Sequence, residues 1–180
     1  VPTPSASTQA ANKAYVDSVA GSGLEVKQSV RAIDVDSYFD NWTYSSSSLT
    51  LTSPTSTLNV TIDGVAVVVG NRVLVQSQST QTENGVYTLT ATGDGNLTSF
   101  VLTRAGDFDA TADISANNFF FVEEGTNYAD TGWVLTTNET ITLDSSDLTF
   151  QQFSGAGSIT AGNGLSKSGD TLSVAPVSSH

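Results

Sequence analysis

Apolar and polar residues alternate at period two through much of this chain, beginning with Leu24-Glu-Val-Lys-Gln-Ser-Val30. Such alternation predicts half-buried strands. Between Asn59 and Thr103 the pattern is punctuated by turn residues. Asn59-Val-Thr-Ile62 meets Asp63-Gly64, then Val65-Ala-Val-Val-Val69, then Gly70-Asn71 and Arg72-Val-Leu-Val75. Asn84-Gly85 precedes Val86 to Thr90, and Gly93-Asp-Gly-Asn96 precedes Phe100 to Thr103. Asp-Gly and Asn-Gly between apolar runs are strong hairpin signals, because glycine takes the positive φ that tight turns need. Further strands are predicted at Asn118 to Val122, Trp133 to Thr137, Thr140 to Leu143 and Leu148 to Phe153. Phe119-Phe-Phe-Val122 has no polar alternate, so both faces of that strand are expected to be buried. The turn spacing, with no helical pattern between, predicts an all-β domain over residues 24–154, an antiparallel sandwich or barrel.

Two stretches break this pattern. Residues 8–20 read as one short helix, with Ser7 and Thr8 suited to its N-cap and Gly21-Ser-Gly23 to its stop. Roughly three turns are too few to stand alone in water. The stripe Ala11, Tyr15 and Val19, with Asn12 beside it, therefore needs a partner, and the simplest is the same helix from another copy. Residues 1–23 are read as a linker and an oligomerising helical collar. Residues 33–57 are irregular and rich in aromatic and acidic side chains, a long loop with one strand at Leu49 to Leu51. From Gly155 the chain becomes glycine-rich. Residues 155–180 are read as a hinge and a small hairpin, docked on the domain or opening a further segment.

More than a quarter of the 180 residues are Ser or Thr, and only 13% are charged, about half the usual share. A hydroxyl-rich surface fits an extracellular or virion-exposed β protein. Eighteen acidic against six basic residues give a net charge of −12. Polyanions are repelled, so nucleic acid and anionic lipid are not expected partners, while divalent cations are. No apolar run approaches the length of a membrane-spanning helix. Cysteine is absent, which excludes disulfides and thiolate metal sites and leaves oligomerisation as a staple. Methionine is absent even at position 1, and the lone His180 is terminal, as a tag remnant would be. The chain is expected to be a piece of something longer or processed.

Several groups could carry chemistry. Tyr38, Phe39, Trp42 and Tyr44, with Asp40 among them, combine flat rings for sugar CH groups with a carboxylate for hydroxyls. The competing reading is that the rings pin a long loop to the sheet. Asp107, Asp109 and Asp113 form an acidic turn that could take calcium, although an EF-hand's glycine and closing glutamate are missing. A solvated loop is the competing reading. Otherwise no cofactor is expected. Glu123 and Glu124 are strand neighbours whose side chains diverge. They do not make the pair of carboxyls, roughly 5 to 10 Å apart, that glycosidases use. With no cysteine and only a terminal histidine, nucleophilic catalysis has no base. No enzymatic activity is expected.

Four blocks, in order, resemble bacteriophage tail-fibre and other virion structural proteins. They are Ala11-Asn-Lys-Ala-Tyr-Val-Asp17, and Ile62-Asp-Gly-Val through Arg72-Val-Leu-Val to Glu83-Asn-Gly-Val-Tyr87. The third is Phe121-Val-Glu-Glu-Gly-Thr through Gly132-Trp-Val-Leu-Thr136. The last is Phe150-Gln-Gln-Phe-Ser-Gly-Ala-Gly running into Ile159 to Leu165. The resemblance implies a virion-exposed fibre segment, a homotrimer that meets other fibre or tail proteins and helps attach to the bacterial surface. A head fibre or collar appendage is an alternative position. A carbohydrate-binding module reading host surface polysaccharide through residues 33–57 is the alternative function, with a polysaccharide depolymerase third. Residues 33–58 are longer and more aromatic than in similar sequences, so the resemblance implies nothing about their role.

Overall fold

The computed structural model describes residues 23–54, 59–93, 99–138, 140–154, 165–168 and 171–174. The expected collar helix, with Ala11, Asn12, Tyr15 and Val19, and the hinge at Gly155 lie outside the described residues. Within them the fold is all-β. The strands are β1 (Glu25–Val26), β2 (Ala32–Asp34), β3 (Thr43–Ser45), β4 (Thr50–Thr52), β5 (Val60–Ile62), β6 (Val65–Val67) and β7 (Arg72–Val75). Then come β8 (Gly85–Ala91), β9 (Val101–Arg104), β10 (Asn118–Val122), β11 (Thr131–Leu135), β12 (Phe150–Ser154), β13 (Leu165–Ser168) and β14 (Thr171–Val174). Six strands form one sheet in the order β2-β7-β8-β9-β4-β3, and four form another in the order β1-β10-β11-β12. β5 and β6 make a hairpin, as do β13 and β14.

The pairing is not wholly antiparallel. β1 runs parallel to β10, and β2 runs parallel to β7. One extended segment, from Glu25 to Asp34, therefore lies along the second sheet first and then crosses to the first. Its crossing point is fixed by Val30, bridged to Val122, and by Arg31, whose N–H donates to the Arg72 carbonyl.

The six-stranded sheet is apolar on both faces, which explains the uninterrupted burial of Val73, Leu74 and Val75. Leu74, Val86 and Ile33 join a core with Phe108, Phe120, Trp133 and Phe150, so this cluster draws on both large sheets. Val73, Tyr87, Leu89 and Leu102 look the other way, into a core with Val60, Ile62, Phe39 and Trp42. The β5–β6 hairpin is the two-residue turn expected from Asp63-Gly64, with φ of 46° and 80°.

Four expectations change. Residues 33–57 are not one loop, because β3 and β4 form a hairpin that extends the six-stranded sheet. Asn84-Gly85 is not a hairpin turn. A 3₁₀ turn (Gln81–Glu83) precedes it, and Gly85 already pairs with Val75. Residues 140–143 do not form a strand; Ile141 is buried as a plug in a turn that ends at Leu148. Phe121 is 39% exposed, so β10 is not buried on both faces. Alternation holds there: Asn118, Phe120 and Val122 point inward and Phe119 and Phe121 outward.

Candidate functional site

Where β2 ends, the chain reverses over Asp36 to Phe39. The Asp34 carboxylate makes the reversal, its Oδ1 accepting the N–H groups of Asp36 at 3.1 Å and Tyr38 at 3.2 Å. Ser37 adopts a left-handed φ of 59°, and its N–H and hydroxyl both donate to Ser77 at 2.7 Å. Such side-chain bonds to nearby backbone are what lets Asp and Ser compete with strand pairing. The turn leaves Tyr38 42% exposed and drives Phe39 and Trp42 into the core. Those two rings meet edge to face at 4.8 Å.

The five residues expected around a sugar are therefore divided. Tyr38 alone offers an open ring. Phe39 and Trp42 spend their faces on packing, Asp40 Oδ1 accepts the Ser79 N–H at 2.6 Å, and Tyr44 enters a buried network. Beside Tyr38 lies a pocket of about 120 Å³, lined also by Asp34, Asp36, Thr61 and Asp63. It has room for about four waters at liquid density, and is small beside ligand pockets of roughly 300 Å³ and more. Three carboxylates and no cationic side chain line it. Burial pushes the Asp34 carboxyl above its ordinary range, against the pull of its backbone donors, and its Oδ2 has no hydrogen-bond partner.

Arg104, not singled out by sequence reasoning, links Tyr44, the carbonyls of Thr82 and Asn84, and Asp144. Its side chain is fully buried at the end of β9. Nε donates to the Tyr44 hydroxyl at 3.0 Å, and that hydroxyl donates to Asp144 Oδ1 at 2.6 Å. The two terminal nitrogens donate to the carbonyls of Asn84 and Thr82, both at 3.0 Å. The guanidinium lies 5.4 Å from the centre of the Tyr44 ring and 5.0 Å from that of Tyr87. Burial, reinforced by the bond to Asp144, pushes the Tyr44 phenol up to about 12. This arrangement satisfies a charge inside the fold. A signal for it existed in composition, since only six basic residues are available to hold the chain's charge and one ends a buried strand.

The acidic turn is also divided. Both Asp107 oxygens bind Arg72, at 2.9 and 3.0 Å. Asp109 is half-buried, and Asp113 closes a short 3₁₀ turn (Thr111–Asp113). Among the described residues, no group of three or more His, Cys, Asp or Glu could hold a metal ion. Glu123 and Glu124 lie just beyond β10: the first accepts the Ser29 hydroxyl and the second pairs with Arg31 at 3.2 Å. No helix among the described residues is long and apolar enough to cross a membrane. No family model, no curated protein and no solved structure matches this chain.

Proposed function

We propose that the chain is a structural segment of a bacteriophage fibre, assembled as a homotrimer and exposed on the virion, where it contributes to attachment rather than catalysis. The observation that carries the reading is the ordered set of four blocks from Ala11 to Leu165 that resemble fibre proteins. The fold gives the residues of these blocks architectural work. Asp63-Gly64 makes the β5–β6 turn, Arg72 binds Asp107, Tyr87 stacks beneath Arg104, and Trp133 anchors the shared core. Three copies would multiply weak surface contacts through effective concentration. Light scattering on the full chain tests the reading. A mass near three times 18.7 kDa supports it, and a monomer at all concentrations sinks it.

A second reading, a polysaccharide-binding module, is favoured by one observation: the exposed Tyr38 ring beside an acidic pocket. Tyr38→Ala is its test, because Trp42→Ala would disturb the core. Loss of binding to host cells or glycan by a folded Tyr38→Ala chain supports this reading, and unchanged binding ends it.

A further inference from the structure

The four-stranded sheet has one face on the shared core and one face without a cover among the described residues. Register places Val26, Phe119 and Val134 side by side on the outer face, with Phe121 two residues along β10. Phe153, at the bulge where β12 slips against β11, joins them, its ring 6.0 Å from that of Phe119 and perpendicular to it. Val26 is 72% exposed and Phe153 61%. Gln151, opposite Val134, is the polar member, and none of the six is charged.

We propose that this face is where one copy of the chain meets another; the proposal rests on the trimeric reading above and names its contact surface. Charge selects the occupant. A chain of net charge −12 repels its own copies, so they can approach closely only where carboxylates are missing, and none of these six side chains is one. An anionic or merely polar partner would gain nothing from five apolar side chains. The edges of the face are β1 and β12.

Area bounds the claim. Three strands of five residues and the two residues of β1, about 4.8 Å apart, cover roughly 270 Å². A stable interface needs roughly 800 Å² per partner. The face is therefore the apolar centre of a larger contact and not a complete interface.

The chain has no cysteine, so single thiols report directly. Phe153→Cys and Val26→Cys in the full chain would be labelled with a maleimide across a dilution series, with mass read by light scattering. Ser46→Cys, on the exposed β3–β4 turn, is the reference. The expected result is labelling at least tenfold slower than the reference in the oligomer, rising to the reference rate on dissociation. The gentler Val26→Cys carries the measurement if Phe153→Cys lowers the mass. Fast labelling in an intact oligomer overturns the contact surface and leaves the trimer standing. Slow labelling in a monomer means the chain's own terminal segment covers the face, and overturns it too. Fast labelling in a monomer overturns both readings.

Discussion

Asp63 clasps Asn127. The Asp63 carboxylate accepts the Asn127 side-chain amide at 2.8 Å, and also the N–H groups of Asn127 and Tyr128. One residue of the β5–β6 turn thereby holds the β10–β11 connection, which is 64 residues away. Asp63 itself sits at a left-handed φ of 46°, and Gly64 beside it at 80°.

Asp63→Ala loses these bonds and keeps the strained backbone, so it is expected to destabilise by about 2 to 3 kcal/mol. Asp63→Asn tolerates the left-handed region and retains one acceptor, so its loss should be below about 1 kcal/mol. Gly64→Ala would drive a Cβ into the Thr126 hydroxyl. Urea unfolding of the three variants should rank Asn mildest; equal losses would mean that the turn's conformation, not the clasp, carries the effect.

Truncating Arg104 leaves two carbonyls and the Tyr44 hydroxyl without their donor, and removes the cation 3.7 Å from Asp144. Arg104→Met should cost about 3 to 5 kcal/mol, and Tyr44→Phe about 1 to 2 kcal/mol. The double variant should cost less than the sum, since both remove one network. Additive losses in a double-mutant cycle would show that Tyr44 and Arg104 act independently.

The network also predicts alkaline behaviour. An unfolded tyrosine loses its proton near 10, whereas folded Tyr44 holds it to about 12 and burial raises Tyr87 as well. Between those values the unfolded chain binds fewer protons than the folded one. Stability therefore falls as pH rises from 10 towards 12. Absorbance at alkaline pH should show part of the tyrosine signal appearing only with unfolding. Tyr44→Phe should flatten the fall, and an unchanged slope would remove Tyr44 from the account.

Asp34 gives the opposite end of the scale. Burial raises its folded carboxyl above 3.8. Above 3.8 the folded state holds a proton that the unfolded state has released. The stability tied to this group is therefore greatest in acid, and is lost as pH rises through the folded value. Asp34→Asn keeps an acceptor for Asp36 and Tyr38 and carries no charge into the interior. Its stability relative to the unsubstituted chain should improve from pH 4 to pH 7, read by urea unfolding at each pH. A constant difference would show that the Asp34 charge costs nothing.

Local signals were legible and distant ones were not. Asp63-Gly64 could be read because a two-residue turn needs only its own residues. Most strands around it were visible for the same reason. The run Phe119 to Val122 could not be read for exposure, since an all-apolar strand looks the same whether its outer face is covered or bare. Ile141 and Leu143 alternate with threonines as strand residues do, yet the chain turns there, the N–H groups of Ser145 and Ser146 both returning to the Thr142 carbonyl. At the candidate site, the ring-bearing stretch was visible, but which rings turn inward is decided by Asp34 and Ser77, four and 39 residues from Tyr38. Arg104 was hidden most thoroughly, because Tyr44 lies 60 residues before it and Asp144 forty after it.

The crossing segment from Glu25 to Asp34 also sets an order of events. As the chain is synthesised, β1 emerges first of the described strands, but Asn118, which holds its register in β10, follows 93 residues later. β2 similarly waits for β7. Neither parallel pairing rewards the chain until a long loop has closed. The β7–β8–β9 meander can form from neighbouring residues while the leading strands remain unpaired. The earliest-made of the described strands would then be the last to dock.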